Sequence, residues 1–215
     1  MIWLEEQLSN AIAPGGACMR EVFAIRGEVF REPAGAGRRT LRFERDGVGD
    51  FLKLHWGVGW REIFKNLFSL RLPVLGARNE WRAIRRLEQL GVETMRLAGY
   101  GEEGWNPARR RSFVITRELE DTISLEDYCL HWPAQPPAAA PKRAQLRREA
   151  EMSARMHKQG MNPRDLYSCH FLLQRPWAGP DRPLHLYLID LHRVQIREVL
   201  PRRWRVKDLA ALYFS

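Results

Sequence analysis

NPRDLYSCHF, residues 162–171, read together with LYLIDLHR, residues 186–193, decides the fold of this chain. Asp165 stands in a loop after a strong helical stretch, KRAQLRREAEMSARMHKQG (142–160), which Gly160 closes. His170, whose neutral imidazole can ligate a metal, follows five positions later. Asp190 ends LYLID, an apolar run suited to a buried strand, 25 residues after Asp165. A carboxylate, an imidazole and a second carboxylate in that order are the parts of a metal-assisted transfer site.

Upstream, VFAIRGEVFRE (22–32) and RRTLRFER (38–45) read as two strands joined by a PAGAG turn. DFLKLHW (50–56) reads as a third strand carrying Lys53. REIFKNLFSL (61–70) reads as a helix ending before Pro73, because Ile63, Phe64, Leu67 and Phe68 fall at helical spacing. With Arg61, Lys65 and Arg71 it is basic and amphipathic, which fits an ordinary surface helix or one lying on a membrane.

ARNEWRAIRRLEQLG (77–91) is a further helix, stopped at Gly91. Glu80 lies in line with its apolar residues Ile84 and Leu87, so its charge needs a partner. SFVITREL (112–119) is a strand running into a hinge, and PAQPPAAAP (133–141) is a linker before the long helix. Strands first and helices second predict an α+β, two-lobed architecture.

Phosphoryl transfer needs in-line positioning, metal ions on the phosphate oxygens and a carboxylate to orient the attacking hydroxyl. Arg164-Asp165 matches the Arg-Asp of a kinase catalytic loop, which makes Asp165 the candidate base. His170 occupies the place of the loop's metal-binding Asn, and Asp190 that of the Asp in Asp-Phe-Gly, with Leu191 and His192 following instead. Lys53 on a strand and Glu80 on the next long helix fit the ion pair that holds the nucleotide phosphates. The backbone of residues 117–119 is where the adenine edge is expected. Each piece alone has an ordinary structural use; their order along one chain carries the reading.

Composition is compatible with this. The chain has 215 residues, 45% hydrophobic and 28% charged, as folded proteins do. Its formal charge of +9 favours anionic partners without choosing among them. Three cysteines, at 18, 129 and 169, form no Cys-x-x-Cys pair, which speaks against a disulfide framework or zinc knuckle and for a reducing, cytoplasmic setting. The acidic N-terminus, with Glu5 and Glu6, is unlike a secretory signal, and no apolar run of membrane-spanning length occurs. No nucleic-acid motif is present, so a basic DNA- or RNA-binding domain would leave the ordered acidic residues unexplained.

The blocks GEVFRE, RRTLRFE, KNLFSLRLPVLGARNEW, ISLEDY, RDLYSCHFLL, IDLHRVQIR and PRRWRVKDLAALYFS go beyond a generic kinase pattern. Over roughly residues 20–215 the sequence resembles the lipopolysaccharide core heptose(I) kinases, the RfaP/WaaP group of Gram-negative bacteria. The resemblance implies a protein-kinase-like fold that transfers the ATP γ-phosphate to the first heptose of the inner core. It implies a peripheral position at the cytoplasmic face of the inner membrane, with ATP and Mg²⁺ as cofactors and core glycolipid as partner. Residues 1–119 become the nucleotide-binding N-lobe and 120–215 the C-lobe. Asp165 becomes the catalytic base, Lys53 and Glu80 the nucleotide-positioning pair, and Asp190 with His170 the metal site. Asp208 matches the residue that braces the catalytic loop in kinase folds; a charge at a helix N-terminus is the other reading.

Two departures accompany the resemblance. The family reads Asn-His-Arg-Asp where this chain has Pro163, a residue without a backbone donor that restricts Asn162 to extended geometry. The family also continues past Tyr-Phe-Ser, so the helical lobe is expected to be truncated at Ser215. These leave a catalytically impaired kinase-like binding protein, or a kinase for another core sugar, as alternatives. The basic run from Arg193 to Lys207 suits an acidic glycolipid at an anionic membrane, or a solvated face.

Overall fold

The computed structural model describes residues 1–12, 19–32, 37–68 and 74–215. Residues 33–36 of the PAGAG turn, Cys18, the end of the 61–70 helix, Arg71 and Pro73 lie outside the described residues. The chain divides into two compact units, Met1–Arg82 with Arg96–Glu118, and Ala83–Met95 with Leu119–Ser215.

The first unit is a six-stranded antiparallel sheet. Its strands are β1 (Ile2–Leu4), β2 (Glu28–Arg31), β3 (Arg38–Arg45), β4 (Val48–His55), β5 (Leu97–Glu103) and β6 (Arg111–Arg117), in the order β1-β5-β6-β4-β3-β2. Helices α1 (Glu6–Ile12) and α2 (Met19–Ala24) follow β1. Leu8, Met19, Val22, Leu41, Phe43, Leu52, Leu54, Phe113 and Ile115 form one buried cluster. Alternation along β3 and β4 sends Leu41 and Phe43, and Leu52 and Leu54, into that core. The same alternation leaves Lys53 on the opposite face of β4, in register with Thr40 and Val114.

Two sequence expectations fail here for physical reasons. The 22–32 strand is helical at its start, because Met19 and Val22 sit three apart on one buried helical face. Gly27 then passes so near β3 that a Cβ would lie 2.3 Å from the Arg42 carbonyl, and only Glu28–Arg31 pair as a strand. β5, LAGYGEE, is rich in glycine and does not read as a strand. Its glycines make room: a Cβ on Gly101 would lie 2.4 Å from the Phe113 ring, and one on Gly99 would lie 2.6 Å from Leu4.

Helix α3 (Gly59–Phe68) leaves the sheet after β4, and α4 (Arg78–Gln89) follows it. The last residues of α4 belong to the second unit, where Leu90 and Gly91 end the helix. Gly91 has φ +62°, and the Val92 N–H returns to the Leu87 carbonyl at 3.0 Å, a Schellman closure.

The second unit continues with β7 (Thr122–Ser124), α5 (Leu125–Cys129) and the 20-residue α6 (Ala139–Lys158). Two small antiparallel sheets follow, β10-β9-β7 and β11-β8. They use β8 (Met161–Asn162), β9 (Phe171–Gln174), β10 (Leu186–Leu188) and β11 (Gln195–Ile196). Helix α7 (Arg202–Tyr213) comes last. Gln145, Glu149, Met152 and Met156 line the buried face of α6 at helical spacing. Glu93 accepts hydrogen bonds from Arg148 of α6 at 2.8 Å, from the imidazole of His185 at 2.6 Å and from the Leu186 N–H at 3.1 Å. Burial pushes its carboxyl up, but these donors outweigh burial and hold it below the usual range.

Candidate active site

Lys53 Nζ donates to Glu80 Oε1 at 2.6 Å. β4 supplies the lysine and the first turn of α4 the glutamate, whose side chain is 1% exposed. The second oxygen of Glu80 is buried without a hydrogen-bond partner. Leaving a buried acceptor unmade costs about 1–3 kcal/mol, the kind of cost retained at functional sites. The ammonium has three donors and gives one to Glu80, so two remain for phosphate oxygens. A partly exposed lysine held by a buried carboxylate fits the phosphates of a nucleotide.

The N–H groups of Arg117 and Glu118 are already engaged, with the Arg96 carbonyl at 2.9 Å and the Gly49 carbonyl at 2.9 Å. These two donors serve the sheet.

In the second unit, the loop that carries Asp165 is set by the turn after α6. Gly160 has φ +73°, and a Cβ there would lie 1.8 Å from the Arg197 carbonyl. That approach lets Met161 and Asn162 pair with Ile196 and Gln195 as β8 and β11. Asp208, 1% exposed on α7, then ties the loop down. Its Oδ2 accepts from Asn162 Nδ2 at 2.7 Å and meets His157 Nε2 at 3.0 Å, while Oδ1 accepts the Arg164 N–H at 3.2 Å. Pro163 therefore lies between two residues clamped by one carboxylate. Arg164 is left-handed at φ +70°, a conformation of a non-glycine residue kept where the surroundings enforce it.

Asp165, His170 and Asp190 come together in this unit. The Asp165 carbonyl accepts a hydrogen bond from His170 Nδ1 at 2.8 Å. A carbonyl cannot donate, so Nδ1 carries the proton. His170 Nε2 then faces Asp190 Oδ2 at 3.5 Å. Asp190 is itself left-handed, φ +57°, at the end of the β10 segment, and its Oδ1 accepts from His192 Nδ1 at 2.5 Å. Arg193 Nη1 donates to Asp165 Oδ1 at 2.7 Å.

The Asp190 carboxylate and the His170 ring are close enough to share one ligand. The donor set of one carboxylate and one imidazole is small. Among the described residues no group of three or more His, Cys, Asp or Glu side chains stands ready to hold a metal. Mg²⁺ ordinarily takes one or two carboxylates and fills its octahedron with water and substrate phosphates, so this sparse set fits it through Asp190. His170 nitrogen is the less natural of the two ligands for that ion.

All five residues singled out from the sequence thus fall in two groups: Lys53 with Glu80 in the first unit, and Asp165, His170 and Asp190 in the second. Sequence reasoning missed His192, which bonds Asp190 from two positions on, and Asn162 and His157, which meet Asp208. It also read Arg193 as part of a basic run that was either lipid-facing or solvated, whereas its guanidinium pairs with Asp165. Nothing local in the sequence sets Arg193 apart from the arginines that follow it.

The fold defined by these units is the protein-kinase fold. The chain matches Rio2 kinase of Chaetomium thermophilum, solved as an ADP/Mg²⁺-phosphoaspartate complex, with a TM-score of 0.52 at 13% identity over 87% of this chain and 54% of that one. A much nearer likeness is the structure of WaaP in complex with acyl carrier protein: TM-score 0.84 and 44% identity, covering 100% of this chain and 80% of that one. The chain belongs to the lipopolysaccharide kinase (Kdo/WaaP) family, whose pattern matches residues 20–215. It is 52% identical over its whole length to the lipopolysaccharide core heptose(I) kinase WaaP of Escherichia coli strain K12, spanning 80% of that protein. To the enzyme of the same name from Pseudomonas aeruginosa it is 53% identical over 196 residues, 90% of this chain and 72% of that one.

Proposed function

We propose that this chain phosphorylates the first heptose of the lipopolysaccharide inner core, using ATP and Mg²⁺. The observation that carries the reading is the 52% identity to a heptose(I) kinase across all 215 residues. The geometry is consistent with it. Lys53, oriented by Glu80, neutralises nucleotide phosphate charge. Asp165 accepts the proton of the attacking sugar hydroxyl through the oxygen that Arg193 does not engage. Asp190, with His170 beside it, would hold Mg²⁺, which would supply positive charge against the phosphates. In this reading residues 1–119 serve the nucleotide, and residues 120–215 carry the catalytic loop and the metal-binding carboxylate.

The clamp on both sides of Pro163 supports turnover over the catalytically impaired alternative. No described helix is long and apolar enough to cross a membrane. A lipid-borne acceptor would instead be met at the surface of the inner membrane, on its cytoplasmic side. The test is transfer of labelled γ-phosphate from ATP to heptose-containing, phosphate-free core. Incorporation at heptose is expected; ATP binding without any transfer to that acceptor would overturn the proposal.

A further inference from the structure

Helix α3 presents its apolar side outward. Only Ile63 is buried, whereas Trp60, Phe64, Leu67 and Phe68 are 50%, 51%, 47% and 88% exposed. At 100° per residue, these four fall within one continuous arc that has Ile63 at its edge. Trp60 and Phe64 stack on each other at 5.8 Å along that arc. Arg61 and Lys65 border it on the Phe68 side, one turn apart and both exposed. The remaining polar face is tied to itself: Asn66 Nδ2 donates to the Glu62 carbonyl at 2.8 Å and to Glu62 Oε1 at 2.9 Å, and Lys65 reaches Glu62 at 3.5 Å.

An ordinary surface helix buries its apolar stripe and wets its polar face, whereas α3 leaves both exposed. Singly exposed apolar side chains are common, but four contiguous ones, three of them on large aromatic rings, mark an interaction face. Tryptophan and phenylalanine beside lysine and arginine are the side chains that settle at a lipid headgroup boundary. The excess of positive charge on the whole chain, +9, acts in the same direction toward an anionic surface.

We infer that α3 is a docking element for an anionic lipid bilayer, lying in the plane of the interface with Trp60, Phe64, Leu67 and Phe68 among the acyl-chain boundary and Arg61 and Lys65 at the headgroups. The inference extends the proposed kinase reading, since it brings the enzyme to the surface that carries its acceptor. Lys53 and Glu80 lie on other elements, β4 and α4, and bond each other, so the α3 substitutions remove none of the proposed phosphotransfer groups.

The test is co-sedimentation of the full chain with vesicles of phosphatidylcholine alone, and of phosphatidylcholine with about 30 mol % phosphatidylglycerol. Binding to the anionic vesicles is expected, falling with salt. The double change Phe64→Ser with Phe68→Ser weakens it roughly tenfold or more, and Arg61→Glu with Lys65→Glu also weakens it. Both variants stay folded with melting temperatures within a few degrees of wild type, because the altered side chains are largely exposed. On a delipidated, soluble core acceptor they keep wild-type turnover, and on acceptor presented in vesicles they lose it. Absence of vesicle binding by the wild type, or unchanged binding by the Phe64→Ser/Phe68→Ser variant, overturns the inference. So does a face that binds an acyl carrier protein and no vesicle, which reassigns it to an acidic protein. Vesicle binding that depends on α3 without transfer to soluble core leaves the docking role standing and refutes the kinase reading instead.

Discussion

The guanidinium of Arg193 bonds the carboxylate of Asp165 at 2.7 Å, joining the segment that carries Asp190 back to the catalytic loop. The residues that follow Asp165 in the loop, LYSCH, include no Lys or Arg, and this cation comes from beyond them. Arg193 holds one carboxylate oxygen; in the proposed mechanism the other serves the acceptor hydroxyl. Arg193→Gln is expected to lower kcat about 100-fold, the scale seen when one preorganised donor is removed, with KM for ATP changed by less than about threefold. Arg193→Lys recovers part of the loss, because it keeps the charge but not the fork. Steady-state kinetics check this; a kcat unchanged in Arg193→Gln would refute the role.

Lys53→Met strips a buried carboxylate of its partner as well as removing the cation proposed to bind phosphate. Losing one member of a buried pair costs about 3–5 kcal/mol, so the melting temperature falls together with ATP affinity. Adding Glu80→Gln removes the orphaned charge. The double variant is expected to regain much of the stability and none of the activity, which calorimetry and ATP titration separate. Parallel recovery of both would show that the pair serves folding alone.

Asp208→Ala leaves Asn162 Nδ2, the Arg164 N–H and His157 without their common acceptor. A loss of about 3–5 kcal/mol in denaturant unfolding is expected, with faster amide exchange at Arg164. Destabilisation below about 1 kcal/mol would mean that the loop is held by its backbone pairing with β11 instead.

Glu149, buried on α6, has its carboxyl pushed up by desolvation, with the bond from Gln145 Nε2 at 3.0 Å opposing the push. The folded protein therefore holds this proton more tightly than the unfolded chain. Its contribution to stability is fully present below the unfolded value of 4.5 and is lost as pH rises through the folded value. Glu149→Gln keeps the acceptor for Gln145 and removes that loss. Melting temperatures measured from pH 4.5 upward are expected to diverge, the variant gaining roughly 2–4 °C by neutral pH. Curves that stay parallel would contradict the assignment.

What was readable in advance was what local patterning encodes. The alternation of β3 and β4, the helical periods of α4 and α6 and the stop at Gly91 all appear in the chain as they appear in space. Lys53 and Glu80 could be paired beforehand because a charge on an apolar helical stripe demands a partner. The glycine-rich β5 was invisible, since its strand character comes from Leu4 and Phe113 closing over glycines rather than from side chains of its own. The clamp at Asp208 and the bond from Arg193 to Asp165 span 44 and 28 residues. No local period encodes contacts of that range. In a chain with this much arginine, Arg193 was indistinguishable from its solvated neighbours.

Asp165 bears the central claim. Asp165→Asn preserves volume and one hydrogen-bond acceptor while removing the base. Labelled phosphate transfer from ATP to heptose of phosphate-free core should fall by a factor of about 100 or more, with ATP binding and melting temperature near those of the wild type. Transfer that persists at the wild-type rate in Asp165→Asn would contradict the account.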